Sequence, residues 1–140
     1  MLGLKIVRVK GDSMEPTFKN NDILVIKTRF SKSSLRKKDI ILFKSPLIEN
    51  QVLIKRIIAL PSEFVQIYNN DTIKISKTPD SAPDPLLEKN WIQFEWDLQE
   101  NEFIVLGDNT FNSQDSKTFG PISFDSITGK VILKLKGLRF

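Results

Sequence analysis

Two short runs limit what this chain can fold into. Asp22-Ile23-Leu24-Val25-Ile26-Lys27 and Asp39-Ile40-Ile41-Leu42-Phe43-Lys44 are apolar, rich in β-branched residues and bounded by polar ones. Such runs read as strands at a sheet centre or covered on both faces. Gln51 to Ile58 has the same character, and Lys5 to Val9 alternates. Phe64 to Tyr68 and Thr72 to Ser76 also alternate, and Asn69-Asn70-Asp71 between them reads as a hairpin turn. Glu102 to Leu106 and Ile127 to Leu135 complete the set. Helix signals are sparse. The clearest is one turn from Pro85 to Asn90, with Asp84 as N-cap and proline at the first helical position. Thr28 to Lys38 and Lys77 to Pro85 read as exposed loops, and Trp91, Phe94 and Trp96 as a cluster that more often belongs to a core. The expectation is a mainly β fold: one compact domain of short antiparallel strands over residues 1–140.

Composition narrows the chemistry. The 140 residues include no histidine and no cysteine. A Ser-His-Asp triad, a Cys-His pair, a His- or Cys-ligated zinc site and any disulfide are therefore excluded. Absence of cysteine fits a reducing compartment. The net charge of +4 is a mild excess, far from the dense basic stripe of a nucleic-acid binder. No stretch approaches the ~18 apolar residues that span a bilayer, and Lys5 and Arg8 interrupt the apolar start, so no signal peptide is expected. The expected location is cytoplasmic, with membrane association as the alternative if an anchor lies upstream of Met1.

Three segments carry reactive groups. Gly11-Asp12-Ser13-Met14-Glu15-Pro16-Thr17 puts a hydroxyl just past a strand end, where backbone N–H groups can face a reacting carbonyl. Read alone, Asp12-Ser13 also makes an ordinary turn or cap. In Val52-Leu53-Ile54-Lys55-Arg56-Ile57-Ile58, alternation puts Leu53, Lys55 and Ile57 on one face. Burial would lower the lysine pKa and supply a neutral amine as a base. A lysine that snorkels to solvent is the bland alternative. Arg56 points to the opposite face. Gly107 to Gly120 follows a strand and is dense in hydroxyl, amide and carboxylate groups. Asp108 and Asp115 are candidates to pair with Arg56 or Lys117, and the segment equally suits a solvated loop.

Together and in this order, the segments resemble the type I signal peptidase family of Ser/Lys endopeptidases. Gly11 to Thr17 is similar to that family's Gly-Asp/Glu-Ser-Met-x-Pro-Thr box. Lys55 to Glu63 is similar to Lys-Arg-x-x-Gly-Leu-Pro-Gly-Asp, and Gly107 to Gly120 to Gly-Asp-Asn-x-x-x-Ser-x-Asp-Ser-Arg-x-x-Gly. Asp39 to Pro46 and Ile127 to Val131 resemble its intervening strand and its terminal motif. The resemblance implies a signal-peptidase-like catalytic β-fold with Ser13 as nucleophile and Lys55 as general base. It implies that Ser113 hydrogen-bonds the Lys55 amine and that the Ser13 N–H contributes to an oxyanion hole. Gly11 stands where some members place a serine donor, and Asp12, Asp108 and Asp115 are supporting residues. An extended precursor peptide would pair with the strands before Ser13 and Lys55, touching Val9, Met14, Leu53 and Ile54. No metal or organic cofactor is implied.

The departures are Ala59, Ser62 and Glu63 for Gly, Gly and Asp, Lys117 for Arg, and Lys38 for Gly. Larger ones are the missing N-terminal anchor and a short segment between the second and third boxes. Soluble, anchorless members are associated with maturation of nickel-type superoxide dismutase, so removal of that propeptide is the first expectation. The alternative is a signal peptidase that processes exported preproteins at a membrane, with peripheral membrane contact left open. A self-cleaving repressor-like regulator is disfavoured, because only 12 residues precede Ser13. A non-enzymatic anion-binding β-domain is disfavoured by the joint presence of Ser13, Lys55 and Ser113. No nucleic-acid partner is expected.

Overall fold

The computed structural model describes residues 3–79 and 89–135. It is mainly β, as the sequence predicts. In chain order the strands are β1 (Leu4–Arg8), β2 (Ile23–Lys27), β3 (Ile40–Lys44), β4 (Val52–Ala59), β5 (Phe64–Tyr68), β6 (Ile73–Ser76) and β7 (Ile92–Asp97). They continue with β8 (Glu102–Leu106), the short helix α1 (Ser116–Phe119), β9 (Ile122–Ser123) and β10 (Ile127–Leu135). Seven strands form one sheet in the order β1-β2-β10-β3-β4-β8-β9, and β6-β5-β7 form a second. Every recorded strand pairing is antiparallel.

The uniformly apolar runs have a simple cause. Ile41 and Phe43 of β3 enter one core cluster, with Ile57, Phe103 and Val105, while Ile40 and Leu42 enter another, with Val9, Met14 and Leu24. Burial on both faces removes the alternation that a half-exposed strand would show. β8 behaves likewise: Phe103 and Val105 face the first cluster and Ile104 a third, with Ala59, Val65 and Ile67.

β1 and β4 are separated in the sheet by β2, β10 and β3, yet both line one cleft. The sheet must therefore curl. Register shifts in β10, between Ile127 and Gly129 and between Val131 and Leu133, sit at the middle of the curl. Bulges of this kind bend a strand and increase its twist. Gly129 permits a close approach there, since a Cβ would meet Ile26 Cγ2 at 2.3 Å.

Three expectations about elements need correction or completion. β7 was not expected as a strand. It pairs with β5, where Phe94 and Trp96 stack at 5.5 Å and half-bury against the third cluster, but Trp91 is exposed. The Thr28 to Lys38 loop is not wholly exposed: it holds a 3₁₀ turn at Lys32–Ser34 and buries Leu35 in the first cluster. Helix α1 lies inside the supposed loop after Gly107. Its N-cap Asp115 accepts from the Lys117 N–H, and Gly120, at φ 80°, ends it. The turn expected at Pro85 to Asn90 falls largely outside the described residues.

Gly129→Ala should force Ile26 aside and strain the curl. We expect a loss of about 1–3 kcal/mol, read as a lowered Tm, with the cleft-dependent activity falling as well.

Candidate active site

Ser13 sits in a tight turn directly after β1. The Glu15 N–H donates to the Asp12 carbonyl (3.0 Å) and the Phe18 N–H to the Met14 carbonyl (2.9 Å), while Met14 and Phe18 are buried beneath. Gly11 has φ 88°, a left-handed conformation that favours glycine, and its N–H donates to Asn20 Oδ1 at 2.9 Å. The Ser13 N–H has no acceptor among the described residues.

Lys55 lies in β4 between Leu53 and Ile57, directly opposite Ile41 of β3. This register places it on the face that feeds the first core cluster, and it is only 3% exposed. Burial lowers its pKa, and the nearby negative charge of Asp115 opposes that shift without cancelling it. The expectation of a desolvated lysine therefore agrees with its position.

The Gly107 to Gly120 segment fastens the two together. Arg56 donates to both carboxylate oxygens of Asp108 (Nε 2.8 Å, Nη2 2.7 Å) and, through Nη1, to the Lys38 carbonyl (2.8 Å). The Thr17 hydroxyl also donates to Asp108. Burial alone would raise the Asp108 pKa, but the hydrogen bonds from Arg56 and Thr17 and the Arg56 charge bring it below the usual value. The Asn109 N–H donates to the Ser13 carbonyl (2.9 Å), and its Nδ2 to the Asp12 carbonyl (3.1 Å). Asn112 Nδ2 donates to Asp12 Oδ1 (2.7 Å). Buried Asp115 accepts from the Gly107 N–H (2.9 Å) and the Lys117 N–H (3.1 Å), and buried Ser116 accepts from the Val105 N–H (2.9 Å).

Of the pairings expected for the acidic residues, Asp108 takes Arg56. The Lys117 side chain goes elsewhere, to Asp71 at 2.8 Å, leaving the Asp115 charge beside Lys55. The expected hydrogen bond from Ser113 to Lys55 is not formed. Ser113 Oγ is buried without any partner. It packs on Gly107, where a Cβ would meet Ser113 Oγ at 2.0 Å and the Ser13 carbonyl at 2.8 Å. An unpaired buried hydroxyl costs free energy.

Ser13 and Lys55 line one cleft of about 240 Å³, together with Val9, Met14, Leu53 and Ile54. The sequence reading had not singled out Val7, Leu42 and Val52, nor the basic Lys5, Arg8 and Lys10, which also line it. Strand alternation from Val9 would have found Val7 and Lys5. Among the described residues, β1 pairs only with β2, and β8 pairs with β4 only from Arg56 onward. The strand edges along Leu4 to Val7 of β1 and Val52 to Lys55 of β4 thus carry no strand partner beside the cleft among the described residues. Unpaired edges are templates for an added strand.

Gly107→Ala should displace the Ser113 side chain or the Ser13 carbonyl. We expect activity at the cleft to fall at least about tenfold, at a stability cost of about 1–3 kcal/mol, measured by kcat/KM beside a thermal melt.

Comparison with known proteins agrees with this geometry. A model of the family described as signal peptidase, peptidase S26, matches residues 1–135. Signal peptidase I V of Bacillus subtilis (strain 168) is 31% identical over 141 residues, covering 89% of this chain and 81% of that protein. Signal peptidase I of Leptolyngbya laminosa is 32% identical, covering 90% of this chain and 66% of that protein. A crystal structure of a signal peptidase I from Enterococcus faecalis V583 superposes with a TM-score of 0.53 at 29% identity, covering 71% of this chain and 97% of that one. With its mainly antiparallel β architecture and these likenesses, the chain belongs to the signal peptidase, peptidase S26, family of serine endopeptidases.

Proposed function

We propose that this peptidase separates an N-terminal leader from exported precursor proteins, with Ser13 as nucleophile and Lys55 as general base. One observation carries the reading: a buried lysine and a half-buried serine line one cleft, beside strand edges at Leu4 to Val7 and at Val52 to Lys55 that have no strand partner among the described residues. The leader would enter as an extended strand, with small apolar side chains against Val9, Met14, Leu53 and Ile54.

Neutral Lys55 takes the Ser13 proton as Oγ attacks the scissile carbonyl. The Ser13 N–H is available to the developing oxyanion. Collapse of the tetrahedral species passes the proton from Lys55 to the departing amine and leaves an ester on Ser13. A water molecule then gives its proton to Lys55 and attacks the ester, releasing the leader carboxylate and restoring the serine. The free hydroxyl of Ser113 is suited to accept from Lys55 once it is protonated. Asp115 would stabilise the same ammonium.

Relatives named signal peptidase I favour preprotein processing over the nickel superoxide dismutase role. That reading puts the enzyme at a membrane surface rather than free in the cytoplasm. The outer face of β1 and β10 supports it: Leu4 and Ile6 are 52% and 65% exposed, and Ile132 and Leu133 are exposed nearby. No helix among the described residues is long and apolar enough to cross a membrane.

Ser13→Ala and Lys55→Met should each lower cleavage of a leader-bearing precursor at least about a thousandfold, followed by intact mass. Lys55→Met should also raise Tm at neutral pH, because it removes a desolvated amine. Full activity in either variant contradicts the dyad.

The rate should rise with pH as Lys55 loses its proton, with a midpoint below the ordinary lysine value of about 10.4. Asp115→Asn removes the charge that favours the ammonium, so it should move that limb to lower pH. A limb that stays in place or moves upward contradicts the assignment.

A further inference from the structure

Phe111 is 99% exposed, the most exposed large apolar side chain among the described residues. A single exposed phenylalanine is ordinary on a protein surface. Its position here is not. The Phe111 N–H donates to Asn109 Oδ1 (3.1 Å), and the Asn112 N–H to the Asn109 carbonyl (3.3 Å), so Phe111 stands at the apex of a tight turn. Both legs of that turn are bonded to the nucleophile segment. Asn109 holds the carbonyls of Asp12 and Ser13, and Asn112 holds the Asp12 carboxylate. None of residues 107–120 lines the cleft, which is built from β1, the Ser13 turn, β3 and β4. The turn therefore flanks Ser13 outside the cleft.

We propose that Phe111 contacts the substrate segment that follows the scissile bond and selects for an apolar side chain there. The proposal rests on the leader-processing reading. An apolar leader fills the cleft up to Ser13, and the mature chain continues past the serine toward the Asn109–Asn112 turn. The turn gives the ring a fixed position, because two asparagines anchor it to the same backbone that carries the nucleophile. Covering the ring removes apolar surface from water, and its contribution to recognition grows with the apolar area of the residue that covers it. The Phe111 ring makes no bond that holds Ser13, and its backbone N–H bond to Asn109 survives substitution, so the side chain acts in specificity and not in support of the nucleophile.

The test uses the full chain and two junction peptides that differ only in the two residues after the scissile bond, Leu-Phe in one and Gly-Ser in the other. With Phe111→Ser, kcat/KM on the Leu-Phe peptide should fall about tenfold, mainly through KM, and stay within about twofold on the Gly-Ser peptide. Phe111→Trp should keep the wild-type preference, and Tm should be unchanged in both variants. Equal peptide preference in wild type and Phe111→Ser overturns the proposal. So does a uniform fall on both peptides, which would show that the side chain supports the nucleophile turn. If wild type cleaves the Gly-Ser peptide, leader processing stands whatever the ratio. If it cleaves neither peptide, that reading and the role of Phe111 fall together.

Discussion

Lys55 is a primary amine in a position built for a hydrocarbon. Its neighbours on the strand face are Leu53 and Ile57, its cross-strand partner is Ile41, and almost none of it reaches water. A charged amine there loses hydration that no ion pair among the described residues replaces at contact distance. The unfolded chain keeps this proton to higher pH than the folded one. Stability due to Lys55 therefore rises with pH from its folded pKa up to the ordinary lysine value, and at neutral pH the residue is a net cost. The fold tolerates that cost because β3, β4 and β8 supply enough apolar burial around it.

Other features hold the serine to this lysine. Asp108 is shared by Arg56 of β4 and Thr17 of the serine turn, so one carboxylate ties the strand carrying Lys55 to the turn carrying Ser13. Gly107 lets Ser113 and the Ser13 backbone approach the same Cα. Asp115 faces Lys55 while capping α1, which gives that four-residue helix its place beside the site. At the far side of the cleft, the bulges of β10 and the close contact at Gly129 curl the sheet until β1 comes within reach of β4.

Much of this was legible in the sequence, for local reasons. The run at 40–44 shows two-sided burial because it faces two core clusters, and the run at 23–27 because Ile23, Leu24 and Ile26 are all buried. The hairpin at Asn69 to Asp71 followed from turn chemistry, and the burial of Lys55 from its apolar neighbours on one strand face. What was not legible depends on tertiary packing. β7 has a sequence with little β-branching, and it becomes a strand because β5 offers an edge and Phe94 and Trp96 find a partly buried surface. Helix α1 is too short for a periodic signal. The partner of Lys117 was left open because sequence gives the residue types and not which of several acceptors lies nearest. Lys117 reaches across to the β5–β6 turn at Asp71.

The central claim is that burial keeps Lys55 available as a neutral base. It is tested most directly by NMR titration of the Lys55 side chain in the folded protein, assigned by its loss in Lys55→Met. The account predicts a midpoint below those of the exposed lysines, moving further down in Asp115→Asn. A midpoint equal to or above that of the exposed lysines would mean that the amine stays protonated at working pH and would contradict the account.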